Sequence, residues 1–282
     1  MNNILTNLIT PLKYNSKLSI KYKSNIFFKN ENLSIFGSFK TRLIKYFSSL
    51  KKKSIVIVCY PIHLECLYNI FEQLNLKVTI FTLKKPEINI KNNNNITIKY
   101  HGIVLSKLIE IAKTFSKDNK LKYINLFGDS ILTNVYANIC MELTNQLDNL
   151  NLDMIVMSGC NPDMIYGISN YCSKFLKDTK IVVVGLNKKK VLDTYYYDFF
   201  PDKNYKNDNI SIYSTNEDVL TEYVINTYIS ESTIIELTSA LSGSILDKLD
   251  IYGKNVVCII NDTCNSVEYL HELLKKYIDS KN

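Results

Sequence analysis

Residues 54–81 read SIVIVCYPIHLECLYNIFEQLNLKVTIF and predict the architecture of the chain. The segments Ser54–Cys59 and Leu76–Phe81 are short apolar runs rich in β-branched residues, which is typical of buried strands. Between them, from Ile62 to Leu74, apolar residues recur at helical spacing. A strand, a helix and a second strand in this order form a β-α-β unit, whose two strands are expected to be parallel.

The same alternation continues along the chain. Further strands are predicted at 96–100, 123–127, 154–157, 181–184 and 256–260, and further helices at 105–115, 131–147, 164–176 and 266–278. This pattern predicts an α/β fold with mostly parallel sheets that are covered on both faces. Residues 27–29 are interpreted as a strand, 39–50 as a helix and 193–209 as an irregular surface excursion. No Pro-, Gly- or Ser-rich hinge divides the chain, so any second domain is expected to be inserted within the first.

Composition narrows the class of protein. The chain has 282 residues, of which 46% are hydrophobic and 22% are charged, and this excludes a wholly disordered chain. No apolar run approaches the roughly 20 residues of a membrane span, and residues 1–10 lack the features of a secretory signal. Seven scattered cysteines, an odd number, indicate reduced thiols and a cytoplasmic location. The net charge of +7 rests almost wholly on lysine, so neither nucleic acid nor a membrane is predicted as a partner.

Common catalytic motifs are missing from the sequence. There is no Gly-x-Ser-x-Gly elbow, no phosphate-binding Gly-Lys-Ser/Thr loop and no Gly-x-Gly-x-x-Gly fingerprint. Cys59, His63 and Cys66 lie close together in sequence, but their spacing matches no zinc pattern and no metal site is predicted. Taken alone, these observations predict a soluble α/β protein and nothing more specific.

The first fifty residues carry a more specific pattern. Residues 10–12 (Thr-Pro-Leu) are followed by 29–31 (Lys-Asn-Glu) and by 38–42 (Ser-Phe-Lys-Thr-Arg), whose arginine is the only one in the chain. In this order and spacing they resemble the opening of the fold-type-II pyridoxal-phosphate enzymes, the tryptophan-synthase-β-like superfamily, and fit its serine/threonine dehydratase branch. Residues 236–240 (Glu-Leu-Thr-Ser-Ala) and 262–265 (Asp-Thr-Cys-Asn) are similar to the family's Glu-x-Ser-Gly-Ala and Ser-Gly-Gly-Asn.

The resemblance implies a two-domain, three-layer α/β/α fold. A small domain, residues 52–132, would be inserted into a large cofactor-binding domain made of residues 1–51 and 133–282. The implied cofactor is pyridoxal 5′-phosphate, held covalently by the amine of Lys40, which would also move the substrate's α-proton. That amine must be partly deprotonated to react, and burial favours its neutral form. Ser38 is a candidate hydroxyl donor beside it, although a serine at a helix start is equally natural.

The implied activity is that of a threonine/serine dehydratase. Such a lyase removes water and then ammonia from a small hydroxy-amino acid, as in amino-acid biosynthesis and in isoleucine biosynthesis, and a homo-oligomer is compatible with the family. Two alternatives remain open. One is a catalytically degenerate relative that keeps only the scaffold. The other is an enzyme of the threonine synthase or cysteine synthase type, which shares the scaffold and differs in substrate.

Several positions depart from the family pattern. Ile62 stands where the family has an asparagine that hydrogen-bonds the cofactor, and isoleucine has no polar group for that bond. Residues 160–163 (Cys-Asn-Pro-Asp) stand in for the four glycines of the phosphate cradle, where Pro162 offers no N–H and Asp163 adds a negative charge. Independently of the family, Asn-Pro-Asp is an ordinary helix start. A shifted frame, residues 158–160 (Ser-Gly-Cys), recovers one hydroxyl and some amides.

Asp262 takes the position of the family's serine that faces the pyridine nitrogen. An aspartate there would keep the ring nitrogen protonated. The alternative interpretation is that Asp262 is an aspartate in the turn at the end of a strand, with a purely structural role. Asn265 matches its counterpart in the family. The catalytic candidates are therefore Lys40 and Ser38, and the cofactor-binding candidates are Lys40, Ile62, Gly159, Cys160, Asn161 and Asp262.

Overall fold

The computed structural model describes residues 8–50, 54–83, 93–102, 104–127, 130–186, 209–263 and 267–281. Asn265 and all but the last residue of the predicted excursion 193–209 lie outside these described residues. The strands and α-helices are, in chain order, β1 (Leu12–Tyr14), α1 (Ser16–Tyr22), β2 (Asn25–Asn30), α2 (Ile44–Ser48), β3 (Ile55–Val58), α3 (Pro61–Gln73), β4 (Val78–Thr82), β5 (Ile96–Tyr100), α4 (Leu105–Asp118), β6 (Lys122–Ile124), α5 (Ser130–Gln146), β7 (Met154–Ser158), α6 (Pro162–Phe175), β8 (Lys180–Leu186), β9 (Ile210–Thr215), α7 (Glu217–Glu231), α8 (Leu237–Ala240), β10 (Asn255–Ile260) and α9 (Val267–Lys281).

The chain forms two compact units. The smaller unit contains residues 40–135, and the larger unit contains residues 9–39 and 136–282, so the smaller one interrupts the larger one in sequence. Residues 40–51, which the sequence analysis assigned to the large domain, fall within the smaller unit. The predicted domain bounds at 52 and 132 therefore differ from these unit boundaries and stay a prediction.

The larger unit is built on a six-stranded sheet in the order β1-β2-β10-β7-β8-β9. Only the edge pair β1 and β2 is antiparallel, and each other neighbouring pair in this sheet is parallel. On one face, Val256 and Cys258 belong to an apolar cluster that includes Val224 of α7 and Leu273 of α9. Val257, which points to the opposite face, is also fully buried. Both faces of the sheet are therefore buried, as is typical of a parallel arrangement.

A buried ammonium group fixes the start of this sheet. The Nζ of Lys29, on β2, donates to the Thr10 carbonyl (2.7 Å), to Glu142 Oε2 (2.5 Å) and to Gln146 Oε1 (2.9 Å). The Lys29 side chain has no exposed surface, and its three donors have three acceptors. Thr10 also donates its hydroxyl to Glu31 Oε1 at 2.6 Å. These contacts hold the Thr-Pro-Leu segment against α5 of the same unit.

The smaller unit is built on a four-stranded, fully parallel sheet in the order β5-β4-β3-β6. Val56 and Val58 of β3 pack with Leu108 and Ala112 of α4. Ile57, on the other face of β3, is fully buried as well. The apolar run at 54–59 thus forms a strand that is covered on both faces, as its composition predicted.

The α/β fold with mostly parallel sheets is confirmed, and most predicted elements lie within a few residues of the observed ones. Two local predictions were wrong in detail. The strand predicted at 123–127 ends at Ile124, and the helix predicted at 39–50 begins as a 3-10 helix, Phe39–Leu43, before α2. The elements β1, α1, β9, α7 and α8 were not predicted. No helix in the described part of the chain is long and apolar enough to cross a membrane.

Candidate active site

A short antiparallel bridge at the carboxyl end of β10 brings two candidate residues together. Ser38 pairs with Asp262 across this bridge, and both residues are buried. Next to the bridge, the Phe39 N–H donates to the Asn261 carbonyl at 3.0 Å. The pairing lies within the larger unit and joins chain segments that are more than two hundred residues apart. Sequence reasoning placed both side chains at the cofactor site, and the structure shows that they are neighbours.

Gly37 permits this bridge. Its φ of +67° lies in the left-handed region, and a Cβ atom built on it would lie 2.8 Å from Thr263 Oγ1. The Thr263 N–H and hydroxyl both donate to the Gly37 carbonyl at 3.1 Å. A side chain at position 37 would therefore be strained and would press on the residue that follows Asp262.

The backbone of Asp262 is held by α8 and by Glu236, which caps that helix. Its N–H donates to Ser239 Oγ at 2.9 Å, and the same hydroxyl donates to the Asp262 carbonyl at 3.0 Å. The Glu236 N–H donates to that carbonyl at 3.3 Å. The segment that resembles the family's Glu-x-Ser-Gly-Ala therefore packs directly against Asp262.

Glu236 is a buried acid that the sequence analysis did not select as a site residue. Its carboxylate accepts the Thr238 N–H at 2.6 Å and also the Thr238 hydroxyl. Burial raises the pKa of this carboxyl from 4.5 to about 7, the hydrogen bonds from Thr238 oppose that rise, and the negative charge of Asp262 adds to it. Glutamate is not a favoured helix cap, and its burial and the nearby Asp262 charge depend on tertiary structure, so the sequence contains no signal for this residue beyond the family resemblance of 236–240.

Lys40 is buried in the smaller unit. It is the second residue of the 3-10 helix Phe39–Leu43, and its exposed fraction is 2%. Cys59 directly follows β3, and its thiol interacts with the positive charge of Lys40. Burial raises the pKa of that thiol to about 12, and the Lys40 charge acts in the opposite direction. The structure therefore places the candidate amine in the interior, at the carboxyl end of β3.

Ile62 lies in the first turn of α3, one residue after the Pro61 that begins the helix. Its side chain is partly exposed and purely hydrocarbon. The preceding Tyr60 is buried and packs edge-on against Phe127, with ring centroids 5.3 Å apart. The strand-to-helix turn that carries a polar amide in the family is thus apolar and aromatic here. Across the described residues, no cluster of His, Cys, Asp and Glu is arranged to hold a metal ion.

The turn between β7 and α6 is a helix start whose own residues cap the helix. The Asn161 side chain accepts the Met164 N–H at 2.8 Å, and Pro162 is the first residue of α6. Asp163 follows in the first turn and has no exposed surface. This is the interpretation that Asn-Pro-Asp suggested without reference to any family.

Other amides near this turn also have internal partners. The Gly159 N–H donates to the Val184 carbonyl at 2.8 Å, and the Cys160 N–H donates to Ser158 Oγ at 3.2 Å. Burial, together with the negative charges of Glu236 and Asp262, raises the pKa of the Cys160 thiol to about 12, and a hydrogen bond with Ser158 opposes the rise. The charges that act on the turn are therefore negative, which disfavours a second anion.

Lys40 and the turn at 160–163, each taken by itself, differ in how they suit pyridoxal phosphate. A buried lysine amine fits the aldehyde, because such an amine condenses with carbonyl groups. Residues 160–163 do not fit the phosphate, because a proline and a buried aspartate occupy a position where a cradle needs free N–H groups and no negative charge. The roles predicted for Ser38, Ile62, Gly159, Cys160, Asn161 and Asp262 remain predictions.

Comparison with known proteins shows what the chain is similar to. No family model matches the chain. It is 26% identical, over 94% of its length and 72% of the relative's, to the biosynthetic L-threonine dehydratase of Lactococcus lactis subsp. lactis.

Solved structures share the fold. Threonine deaminase isoform 2 from Solanum lycopersicum superposes with a TM-score of 0.78 at 17% identity, covering 96% of this chain and 84% of that one. An L-serine ammonia-lyase from Rhizomucor miehei gives 0.76 at 16% identity, covering 96% and 98%. The sequence motifs and these similarities support the resemblance to the fold-type-II pyridoxal-phosphate superfamily, in its serine/threonine dehydratase branch, and the solved structures show that the chain has the fold of these enzymes.

Proposed function

We propose that this chain is a pyridoxal-phosphate-dependent lyase of the threonine/serine dehydratase type, which removes water and then ammonia from a small hydroxy-amino acid. The observation that carries the proposal is Lys40, a buried amine within the family's Ser-Phe-Lys-x-Arg motif. The similarity to curated threonine dehydratases over 94% of the chain supports the same activity.

In this proposal the chain supplies an amine and an enclosed setting. Lys40 would hold the aldehyde carbon of the cofactor and exchange a proton with the substrate's α-carbon at Nζ. The cofactor, when bound, supplies the electron sink that makes this proton acidic. Burial of Lys40 keeps bulk water from its amine, which protects a bond to carbon from hydrolysis.

A second candidate function follows from a specific observation. The turn at 160–163 carries its own cap and a buried acid in place of the glycine cradle, which favours a relative that keeps the scaffold without the activity. An enzyme of the threonine synthase or cysteine synthase type is the further alternative within the superfamily. We extend the proposal to a cytoplasmic location and a homo-oligomeric state.

The test combines spectroscopy and product analysis on the full chain. Mixing with pyridoxal phosphate is expected to produce a visible absorbance band that Lys40→Ala abolishes. Lys45→Ala is the matched control, because Lys45 lies one turn later and is exposed. Release of 2-oxobutanoate from threonine or pyruvate from serine supports the dehydratase, whereas a band without either product favours the synthases. Absence of a band in all three proteins overturns the proposal in favour of the degenerate scaffold.

A further inference from the structure

Two thiols are in contact inside the larger unit. Cys140 lies on α5 and Cys172 on α6, and their Sγ atoms are 3.9 Å apart. Both residues belong to the larger unit, both are fully buried, and both carry free thiols. Neither residue is a member of the candidate site described above. They are 32 positions apart in sequence, so the contact is a product of how α5 packs on α6.

The surroundings of the pair favour a bond between the two sulfurs. Leu143, one turn after Cys140, and Ile168, one turn before Cys172, are fully buried apolar residues. The Cys140 Sγ also lies 4.0 Å from the Ile168 carbonyl oxygen. A structural metal site needs a third and usually a fourth ligand, and across the described ranges no group of three His, Cys, Asp or Glu residues is arranged to hold a metal ion. Each sulfur therefore has the other as its reaction partner.

The distance between the two sulfurs is short enough for a bond to form. A disulfide holds its sulfurs about 2.05 Å apart, so the two Sγ atoms have to approach each other by about 2 Å. Rotation about the χ1 torsion of each cysteine moves its sulfur without unfolding the helix. Because neither thiol is exposed, a reagent reaches the pair only when the contact between α5 and α6 opens locally, and the reaction is expected to be slow.

From this geometry we propose that Cys140 and Cys172 form a reversible disulfide, which ties α5 to α6, when the protein meets a small disulfide oxidant such as oxidised glutathione. One protein thiolate attacks the oxidant, forms a mixed disulfide and releases one small thiol. The second protein thiolate then displaces the other small thiol and forms the bond between Cys140 and Cys172. The two protein sulfurs are oxidised, the two sulfurs of the oxidant are reduced, and the two thiol protons of the protein end on the small thiols.

This bond makes the stability of the larger unit depend on redox conditions. It closes a loop that contains β7 and the start of α6, and a closed loop restricts the unfolded chain. Helix α5 also carries Glu142 and Gln146, which accept hydrogen bonds from the Lys29 ammonium on β2. The urea midpoint of the larger unit is expected to rise by about 1 M on oxidation. The inference goes beyond the proposed function and does not depend on it.

The experiment follows the thiols of the folded full chain. Reduced protein is incubated for a day with oxidised glutathione, the reaction is quenched with acid, and free thiols are blocked with N-ethylmaleimide in urea. Peptide mass spectrometry without reduction then locates the bonds. The peptides that contain Cys140 and Cys172 are expected to be joined to each other. Treatment with dithiothreitol is expected to restore both thiols and the original urea midpoint.

Substitution of one partner isolates the pair. In Cys172→Ala the urea midpoint is expected to be the same before and after incubation with oxidised glutathione. Cys258→Ala is the matched control, because Cys258 is equally buried in the same unit and its Sγ lies 3.7 Å from the Ser242 carbonyl oxygen. This control is expected to keep the joined peptides and the rise in midpoint. If Cys172→Ala does not fold, Cys140→Ala provides the same comparison, and the peptide map of the parent chain is decisive without either variant.

Three results would overturn the inference. Both thiols could remain free in the folded chain after incubation. Either cysteine could carry only a glutathione adduct or be bonded to a different cysteine. Finally, the joined pair could form without any rise in the urea midpoint, which would show that the bond does not stabilise the larger unit.

Discussion

The buried carboxyl of Glu236 makes a quantitative prediction about stability and pH. Its exposed fraction is 4%, and burial, assisted by the negative charge of Asp262, raises its pKa from 4.5 to about 7. In the unfolded chain the same carboxyl ionises near its usual value. Between these two values the folded protein keeps a proton that the unfolded chain has released.

The sign of the effect follows from this difference in bound protons. Because the folded state binds more protons over this range, the free energy of unfolding falls as the pH rises from 4.5 to about 7, and is constant above and below for this group. At about 1.36 kcal/mol per pH unit, the gap from 4.5 to about 7 corresponds to about 3 kcal/mol. Ionised Glu236 therefore destabilises the fold at neutral and alkaline pH.

The substitution Glu236→Gln isolates this group. Glutamine keeps a carbonyl oxygen that accepts the two Thr238 hydrogen bonds, and it cannot ionise. Urea unfolding is measured for both proteins at pH 4.5 and pH 8, by far-ultraviolet circular dichroism, with a separate transition fitted for each unit if two appear. Relative to the parent chain, Glu236→Gln is expected to gain about 3 kcal/mol between the two pH values.

The control is Glu272→Gln on the exposed side of α9, for which the difference from the parent chain is expected to be the same at both pH values. A stability difference between Glu236→Gln and the parent chain that does not change with pH would refute the reasoning. It would mean that Glu236 has the same affinity for a proton in the folded and unfolded states, and hence that it is hydrated in solution.

Three further predictions concern named contacts. Lys29→Met is expected to lower the free energy of urea unfolding by about 3–5 kcal/mol, because it leaves the Glu142 carboxylate without this buried cation. The double variant Lys29→Met/Glu142→Leu is expected to recover part of that loss. An equal or larger loss in the double variant would contradict the pairing. Gly37→Ala is expected to cost about 1–3 kcal/mol in thermal unfolding, through its positive φ and the approach to Thr263. Cys160 is expected to react with iodoacetamide far more slowly at pH 8 than in urea-unfolded chain, because its pKa is about 12; equal rates by peptide mapping would show an accessible thiolate.

Burial on both sides explains why strand β3 was predicted from the sequence. The strand at 55–58 is covered on both faces, so it appears in the sequence as an unbroken apolar run. Strand β9 has no such run, because polar residues interrupt it and Ser211 and Ile212 are exposed, and it was not predicted. Helix α7 was missed although Asn216, whose side chain accepts the Val219 N–H, is a regular cap signal.

The site was predictable in part for a similar reason. Local motifs located Lys40 and the start of α6, because a motif and a cap are written in consecutive residues. The pairing of Ser38 with Asp262 was not predictable from either segment, since it depends on the register of a bridge between distant parts of the chain. The pKa of Glu236 was equally out of reach, because it is set by burial and by the charge of Asp262.

The turn at 160–163 shows how two signals in one segment are weighed. The family resemblance makes it a phosphate cradle, whereas its own residues make it a capped helix start. Capping a helix and binding a phosphate use the same backbone N–H groups. An N–H that donates to the Asn161 side chain therefore cannot donate equally well to an external anion. The structure has the Met164 N–H bonded to Asn161 at 2.8 Å and Asp163 buried beside it. A capping residue at this position therefore indicates, from sequence alone, that a backbone donor of the helix start is already used within the chain.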